Sequence, residues 1–261
     1  RTWIVDQTID KGRADLAVNF LQVGQFIASR TQSGPNDYSR MRQLEDIENE
    51  ISNPENFKGM ELQLVSESLA VARLSRNLER PRHETDGRFA RARRLAEKYG
   101  TSRQKLEAHY EHVWTAFWWF DDFDFLQSEY EVFEKSALTS DNAIDLEWLG
   151  NLHQLLVNCV IHRHLSPDQS AVWPRAERLE SRFSELVEDT ERPNNRLEAR
   201  AALQRIKLNR LMLNDERERL PEIWTSYAEI VEASEGLGEF NFDTLIGFIK
   251  VAGRVAGNDP A

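Results

Sequence analysis

Apolar residues recur at intervals of three and four along most of the chain, a spacing typical of amphipathic helices. The clearest example lies within Glu107–Leu138, where Tyr110, Val113 and Phe117 fall on one helical face. Runs that alternate apolar and polar residues, which would indicate strands, are hard to find. The pattern therefore predicts an all-α protein of about eleven helices.

Two of these helices are predicted to form a hairpin. A second apolar stripe begins at Phe123, and the segment Asp121–Asp124 separates it from the first stripe. An aspartate at a helix start accepts hydrogen bonds from free backbone N–H groups, and Asp124 with Gln127 has the spacing of a capping box. We expect one helix, a tight acidic turn and a second helix packed against the first.

The first helix and turn of this hairpin carry a pattern at Tyr110, Val113, Ala116, Phe117, Trp118, Asp122, Phe123 and Asp124. This pattern resembles the first helix and turn of a tetratricopeptide repeat, and Glu134–Leu138 resembles the end of its second helix. The family usually has glycine where this chain has Asp121, and a small residue where it has Trp114. The resemblance implies an α-α superhelix, a solenoid of antiparallel helical hairpins whose concave face binds a peptide or protein.

Further hairpins are predicted at regular intervals along the chain. They begin near Leu62, Thr101, Asp141 and Pro193, about 40 to 50 residues apart, which is the spacing of helical-repeat proteins. We therefore expect a tetratricopeptide-like repeat region over residues 61–261.

The two ends of the chain carry further expectations. Residues 1–60 are predicted to form N-terminal helices that pack on the array, including one at Ala14–Ser29, and a long helix is predicted at Pro54–Leu78. The last helix, Phe240–Val255, is apolar and has no partner after it, whereas a solenoid normally ends in a helix with a polar outer face. We therefore expect the native chain to continue beyond its last residue as part of a larger protein.

Composition limits the class of protein. Of 261 residues, 40% are hydrophobic and 30% charged, which is typical of a soluble folded protein. The formal net charge of −11 argues against a general nucleic-acid binder, and no apolar run is long enough to cross a membrane. The only cysteine, Cys159, excludes an intrachain disulfide, and we expect a cytoplasmic location. We expect no cofactor and no membrane partner.

A basic island interrupts this acidic chain. Arg73–Lys98 contains nine lysines and arginines against four acidic residues. Arg88, Arg91 and Arg94 are the candidates for a basic surface, which could take a phosphate, a nucleic acid or an acidic partner. The other interpretation is a surface whose arginines are paired with acidic neighbours.

An acidic motif offers an enzymatic alternative. Asp121, Asp122 and Asp124 follow an aromatic run and resemble the aspartate-rich motif with which class I terpene synthases bind magnesium diphosphate. Asn214–Asp215 with Glu222 matches part of that family's second metal motif. The simpler interpretation is an acidic turn that caps a helix.

One pair of histidines has a spacing that metals use. His109 and His112 are three residues apart and could share a helical face, but no third ligand is evident in the sequence, so we expect structural or exposed histidines and no metal.

The leading hypothesis is a helical-repeat scaffold or sensor region that binds a protein or peptide and performs no catalysis of its own. The candidate partner-binding residues lie on the opening helices of the hairpins, and they are Tyr110, Trp114, Trp118, His153 and Asn209. The alternatives are an α-helical enzyme with a metal-diphosphate site and a regulatory domain that binds nucleic acid through the basic island, the latter being the weaker partner prediction.

Overall fold

The computed structural model describes residues 36–238 and 240–257, so the helix expected at Ala14–Ser29 lies outside the described residues. The described residues form helices joined by turns and contain no strand, which confirms the all-α prediction. They fall into two compact units, residues 36–137 (the first unit) and residues 138–257 without residue 239 (the second unit). This division follows Ala137, and the domain boundary predicted from the sequence lies at residue 60.

Consecutive helices of the first unit pack against each other, and α2 also contacts α4. In chain order they are α1 (Asn36–Ile51), a 3₁₀ helix (Pro54–Phe57), α2 (Glu61–Asn77), α3 (Arg82–Tyr99), α4 (Ser102–Phe120) and α5 (Phe123–Ala137).

Local chemistry explains where these helices begin and end. The side chain of Thr101 accepts a hydrogen bond from the backbone N–H of Gln104, and the Gln104 side chain accepts one from the backbone N–H of Thr101, so α4 starts with a capping box. The chain passes so close to α3 at Gly100 that a Cβ there would lie 2.7 Å from the carbonyl oxygen of Ala96. The single helix expected over Pro54–Leu78 is wrong, because Gly59 has a left-handed φ of 81° that ends the 3₁₀ helix before α2 begins.

The interior of the first unit contains small residues where α2, α3 and α4 meet. Phe89 is fully buried there, which stabilises the unit by about 2 to 3 kcal/mol relative to an exposed ring. The buried residues of this cluster are Val65, Leu69, Ala72, Phe89, Ala92, Ala96 and Ala108.

The second unit also consists of helices that pack against their neighbours along the chain, and α9 contacts both α6 and α11 in addition. In chain order they are α6 (Ala143–Ile161), the single turn α7 (Pro167–Ser170), α8 (Val172–Val187), α9 (Pro193–Leu213), a 3₁₀ helix (Arg217–Arg219), α10 (Leu220–Ala233) and α11 (Phe242–Gly257).

The helix that follows Ser166 has a separate first turn. Ser166 and Gln169 form a capping box, and Ala171 then adopts a left-handed φ of 46° that separates α7 from α8. The sequence predicts a separate or kinked first turn on account of Pro174, and the observed break lies three residues earlier. Among the described residues, no helix is both long and apolar enough to cross a membrane.

Candidate functional site

An aromatic ladder runs along one face of α4. Tyr110, Trp114 and Trp118 are four residues apart, so they lie one above another on the helix. The ring centroids are 5.6 Å apart between Tyr110 and Trp114 and 5.7 Å apart between Trp114 and Trp118. Tyr110 is buried, whereas Trp114 and Trp118 are half-buried. The structure therefore brings three of the five predicted partner-binding residues together.

Two glutamates of α4 lie on the same face and pair with arginines of α2. Arg73 donates to Glu107 at 2.6 Å and to Glu111 at 2.8 Å. Arg76 also donates to Glu111, and its guanidinium lies 4.7 Å from the centroid of the Trp119 ring. Burial opposes the charged form of Glu111, but Arg76 and Arg73 outweigh burial and hold the pKa of this carboxyl below its usual value.

These side chains form one mixed surface of aromatic rings and charged groups. We name it the α2–α4 face and define it by Arg73, Arg76, Glu107, Tyr110, Glu111, Trp114 and Trp118. Its charged members pair across two helices, so their side chains are held in place. The two glutamates are not among the residues predicted from the sequence, although their spacing of four residues in α4 opposite the α2 arginines is a detectable signal.

The predicted basic surface is largely neutralised. Arg88 pairs with Glu48 at 2.9 Å and with Glu84 at 3.2 Å, and Arg91 contacts the same Glu48 at 3.2 Å. Burial opposes the charged form of Glu48, but Arg88 and Arg91 outweigh it and lower the pKa of this carboxyl. Arg94 is exposed and pairs with no acidic residue in the described part of the chain.

The remaining arginines of the island have acidic partners too. The pairs are Arg73–Glu107, Arg76–Glu111, Arg80–Glu84, Arg82–Asp86 and Arg93–Glu129. A nucleic-acid surface depends on cations that can neutralise phosphates, and cations already paired with carboxylates contribute less. The island therefore fits the interpretation of a paired surface better than that of a nucleic-acid site.

The acidic turn performs structural roles. Asp121 ends α4 with a left-handed φ of 52°, the conformation that glycine adopts most easily. Asp122 accepts a hydrogen bond from the backbone N–H of Phe125 at 2.9 Å and also pairs with Arg82, so it caps α5. The predicted cap at Asp124 is wrong, because α5 begins at Phe123 and leaves Asp124 exposed within its first turn.

The residues of the second proposed metal motif also have structural roles within the chain. Asp215 lies beyond the end of α9 with a φ of 57°, and both oxygens of Glu222 accept hydrogen bonds from Arg219 at 3.0 Å. Among the described residues no group of three or more His, Cys, Asp and Glu side chains could hold a metal ion.

The two histidines of α4 turn to different partners. His109 Nε2 lies 2.7 Å from a Glu129 carboxylate oxygen that also accepts from Arg93. Burial and the charge of Arg93 outweigh Glu129 and lower the pKa of His109 to about 4. His112 stacks on Phe89 with ring centroids 5.4 Å apart.

The other two predicted partner-binding residues lie inside the second unit. His153 and Asn209 are 1% and 2% exposed. His153 Nε2 lies 3.0 Å from the carbonyl oxygen of Val172, so this nitrogen carries the proton and donates, and burial lowers the pKa of His153 to about 4. Because neither side chain reaches the surface, a partner cannot touch them unless the packing changes.

These two residues belong to a polar interior between α6 and α9. Arg205 donates to Asn151, and its guanidinium lies 4.8 Å from the centroid of the Phe248 ring. Gln154 donates to Asn158 at 3.0 Å. A helix that is covered on several sides buries polar residues as well as apolar ones. The periodic spacing of residues does not show which polar residues are buried.

Comparison with known proteins adds no family: no family model matches the chain, and neither a curated protein nor a solved structure matches it significantly.

Proposed function

We propose that the chain is a protein-interaction module of stacked helical hairpins, and that its α2–α4 face binds a protein or peptide partner. The observation that carries the proposal is the ladder of Tyr110, Trp114 and Trp118 beside the paired arginines Arg73 and Arg76. Tyrosine, tryptophan and arginine are the residues that contribute most of the binding energy at protein interfaces.

Pre-organisation supports this role for the α2–α4 face. Ordering a flexible side chain on binding costs about 0.5 to 1.5 kcal/mol. Arg73 is held by two glutamates, and Arg76 by Glu111 and the Trp119 ring, so much of this ordering precedes binding. A partner would therefore retain more of the free energy gained from its contacts.

The charges of the face indicate the chemistry of the partner. Two arginines stand against two glutamates, so the face offers no strong excess of either sign. We expect the partner to supply an apolar or aromatic side chain to the two tryptophans and polar groups around them. Binding should therefore depend only weakly on salt, in contrast to nucleic-acid binding.

The helix packing supports the tetratricopeptide-like arrangement that the sequence suggests. Within the first unit α2 touches α4, and within the second unit α6 touches α9 and α9 touches α11. In a repeat of hairpins the opening helices line one common surface, and contacts between alternate helices are what that arrangement requires. The role needs no reaction performed by the chain itself.

Selection from a library of displayed random peptides tests the proposal. Peptides enriched on the native chain should bind in calorimetry, and Trp114→Ala and Trp118→Ala should each weaken them about thirtyfold or more. Trp173→Ala is the matched control, because Trp173 is a half-buried tryptophan on α8 of the second unit and is not part of the α2–α4 face. Circular dichroism of each variant establishes that its helices are intact.

Two outcomes would count against the proposal. One is enrichment of the same peptides on a Trp114→Ala/Trp118→Ala double variant as on the native chain. The other is equal binding by the ladder variants and Trp173→Ala, which would move the interface elsewhere.

A further inference from the structure

The second unit contains an open cleft of about 440 Å³ between α8, α9 and α10, which we name the α9 cleft. This volume lies in the range of sites that bind small ligands. The cleft is lined by Glu180, Gln204, Lys207, Arg210, Leu211, Asn214, Glu216, Arg219, Glu222, Ile223 and Ser226.

One face of α9 provides the floor of the cleft. Gln204, Lys207, Leu211 and Asn214 follow at intervals of three and four residues, so their side chains point the same way. Ile223 adds an apolar contribution from α10, and both Leu211 and Ile223 are largely buried. The floor therefore combines a small apolar patch with polar groups at its edge.

Most charged groups of the cleft are already paired with each other. Arg210 donates to Glu180 at 2.8 Å, and Arg219 contacts both Glu216 and Glu222 at 3.0 Å. Each oxygen of Glu222 accepts a hydrogen bond from Arg219. These residues form walls whose charges are satisfied within the protein.

Three polar groups of the cleft differ from these walls. Gln204 is only 6% exposed, yet its amide makes no hydrogen bond to any residue that the structure describes. Lys207 is exposed and makes no ion pair within the described residues, although its charge adds to that of Arg219 in lowering the pKa of Glu222. The hydroxyl of Ser226 makes no hydrogen bond to any residue that the structure describes. Gln204 lines the cleft, and because its amide both donates and accepts, it is the group that a ligand could best satisfy.

We propose that the α9 cleft binds a carboxylate that has an amide beside it, with Lys207 holding the carboxylate and Gln204 pairing with the amide. A primary amide both donates and accepts, so its natural complement is another amide, and an ammonium donates to a carboxylate. The Ser226 hydroxyl provides a further donor from α10. An acidic residue within a peptide has this chemistry, and so does a small N-acylated acidic amino acid.

This inference goes beyond the proposed function, because it concerns the second unit and none of the residues of the α2–α4 face. Variants of the ladder should leave the α9 cleft unaffected, so failure of either proposal is distinguishable from failure of the other.

An NMR titration of the ¹⁵N-labelled chain tests the cleft. The probes are acetyl-aspartate methylamide, its neutral isostere acetyl-asparagine methylamide, and a blocked pentapeptide with aspartate at its centre. We expect saturable shifts around the C-terminal half of α9 with the aspartate compound, and affinity about tenfold lower for the asparagine compound. Tighter binding of the pentapeptide would identify a peptide as the natural source, and equal binding a small acid.

Two variants assign the roles. Lys207→Met should remove the preference for aspartate over asparagine, whereas Gln204→Leu should weaken both compounds about tenfold. Lys250→Met is the matched control, because Lys250 is an exposed lysine on α11 that does not line the cleft. Gln204→Leu replaces a side chain that has no internal hydrogen bond with an apolar one of similar size, so its melting temperature should not fall.

Three results would overturn the proposal. They are the absence of saturable shifts at millimolar ligand, an undiminished preference for aspartate in Lys207→Met, and unchanged binding of both compounds by Gln204→Leu.

Discussion

Gly150 lies in α6 where the guanidinium of Arg205 leaves no room for a side chain. A Cβ at this position would lie 2.5 Å from Arg205 Nη2, far inside van der Waals contact. Arg205 is 6% exposed and donates to Asn151 and to the carbonyl oxygen of Glu147, so its guanidinium cannot swing into solvent. We therefore predict that Gly150→Ala destabilises the second unit.

The magnitude follows from opposing contributions. Alanine is favoured over glycine within a helix by about 1 kcal/mol. Displacing the guanidinium would weaken a hydrogen bond to a charged group, worth about 1.5 to 3 kcal/mol, and a buried cation–π contact with Phe248, worth about 2 kcal/mol. The balance predicts that Gly150→Ala lowers the free energy of unfolding by about 2 to 4 kcal/mol.

Urea unfolding followed by circular dichroism and tryptophan fluorescence measures this change. Gly247→Ala is the matched control, because Gly247 lies inside α11 and nothing lies within 4 Å of its Cβ position, so this change should raise stability by about 0.5 to 1 kcal/mol. In an Arg205→Met background the obstacle is absent, and Gly150→Ala should become neutral or stabilising. An increase in stability for Gly150→Ala equal to that for Gly247→Ala would contradict this prediction.

Three further predictions concern acid sensitivity, helix capping and thiol reactivity. The pKa of His153 is about 4 in the folded state and about 6.5 in the unfolded state. Above pH 6.5 the imidazole is neutral in both states and does not change the free energy of unfolding. Between pH 6.5 and pH 4 only the unfolded state binds the proton, so the folded state becomes less stable as the pH falls. Stability should thus fall by about 2 kcal/mol more from pH 7 to pH 5 in the native chain than in His153→Gln, measured by urea unfolding at both pH values; equal slopes would contradict this. Asp122→Ala should lower the free energy of unfolding by about 1 kcal/mol, because it removes the cap of α5. Asp124→Ala should stay within about 0.5 kcal/mol of the native value. A lower urea midpoint for Asp124→Ala than for Asp122→Ala would instead identify Asp124 as the cap. Burial raises the pKa of the Cys159 thiol to about 12, so Ellman's reagent should react with it only in denaturant, and rapid reaction of the folded chain would show that α6 opens there.

The sequence predicts the hairpins well, because their ends depend on local chemistry. Hairpin starts expected near Leu62, Thr101, Asp141 and Pro193 correspond to helices that begin at Glu61, Ser102, Ala143 and Pro193. Caps, glycines and prolines act within a few residues, so the chain displays them directly.

The position of the cap on α5 could not be settled in the same way. Asp122 and Asp124 both precede possible helix starts, and only the left-handed conformation at Asp121 decides that the helix begins at Phe123. That conformation depends on how α4 and α5 pack, which is not local information.

The candidate site was predicted in part for a similar reason. Tyr110, Trp114 and Trp118 form the ladder that their spacing predicts, because four-residue steps define a face whatever surrounds it. His153 and Asn209 also follow helical spacing, but α6 and α9 are enclosed on several sides, so their faces point inward. The cleft around Gln204 depends on three helices meeting, and no single stretch of sequence encodes that.

The polar interior between α6 and α9 constrains how those helices can align. Purely aliphatic surfaces would tolerate a slip of one turn, since one leucine fills the space of another. A slip here would separate Arg205 from Asn151 and leave a charge facing hydrocarbon, so only one axial register is acceptable. Replacing these polar residues with leucines should therefore make the second unit more stable, but α6 and α9 would then pack in more than one axial register.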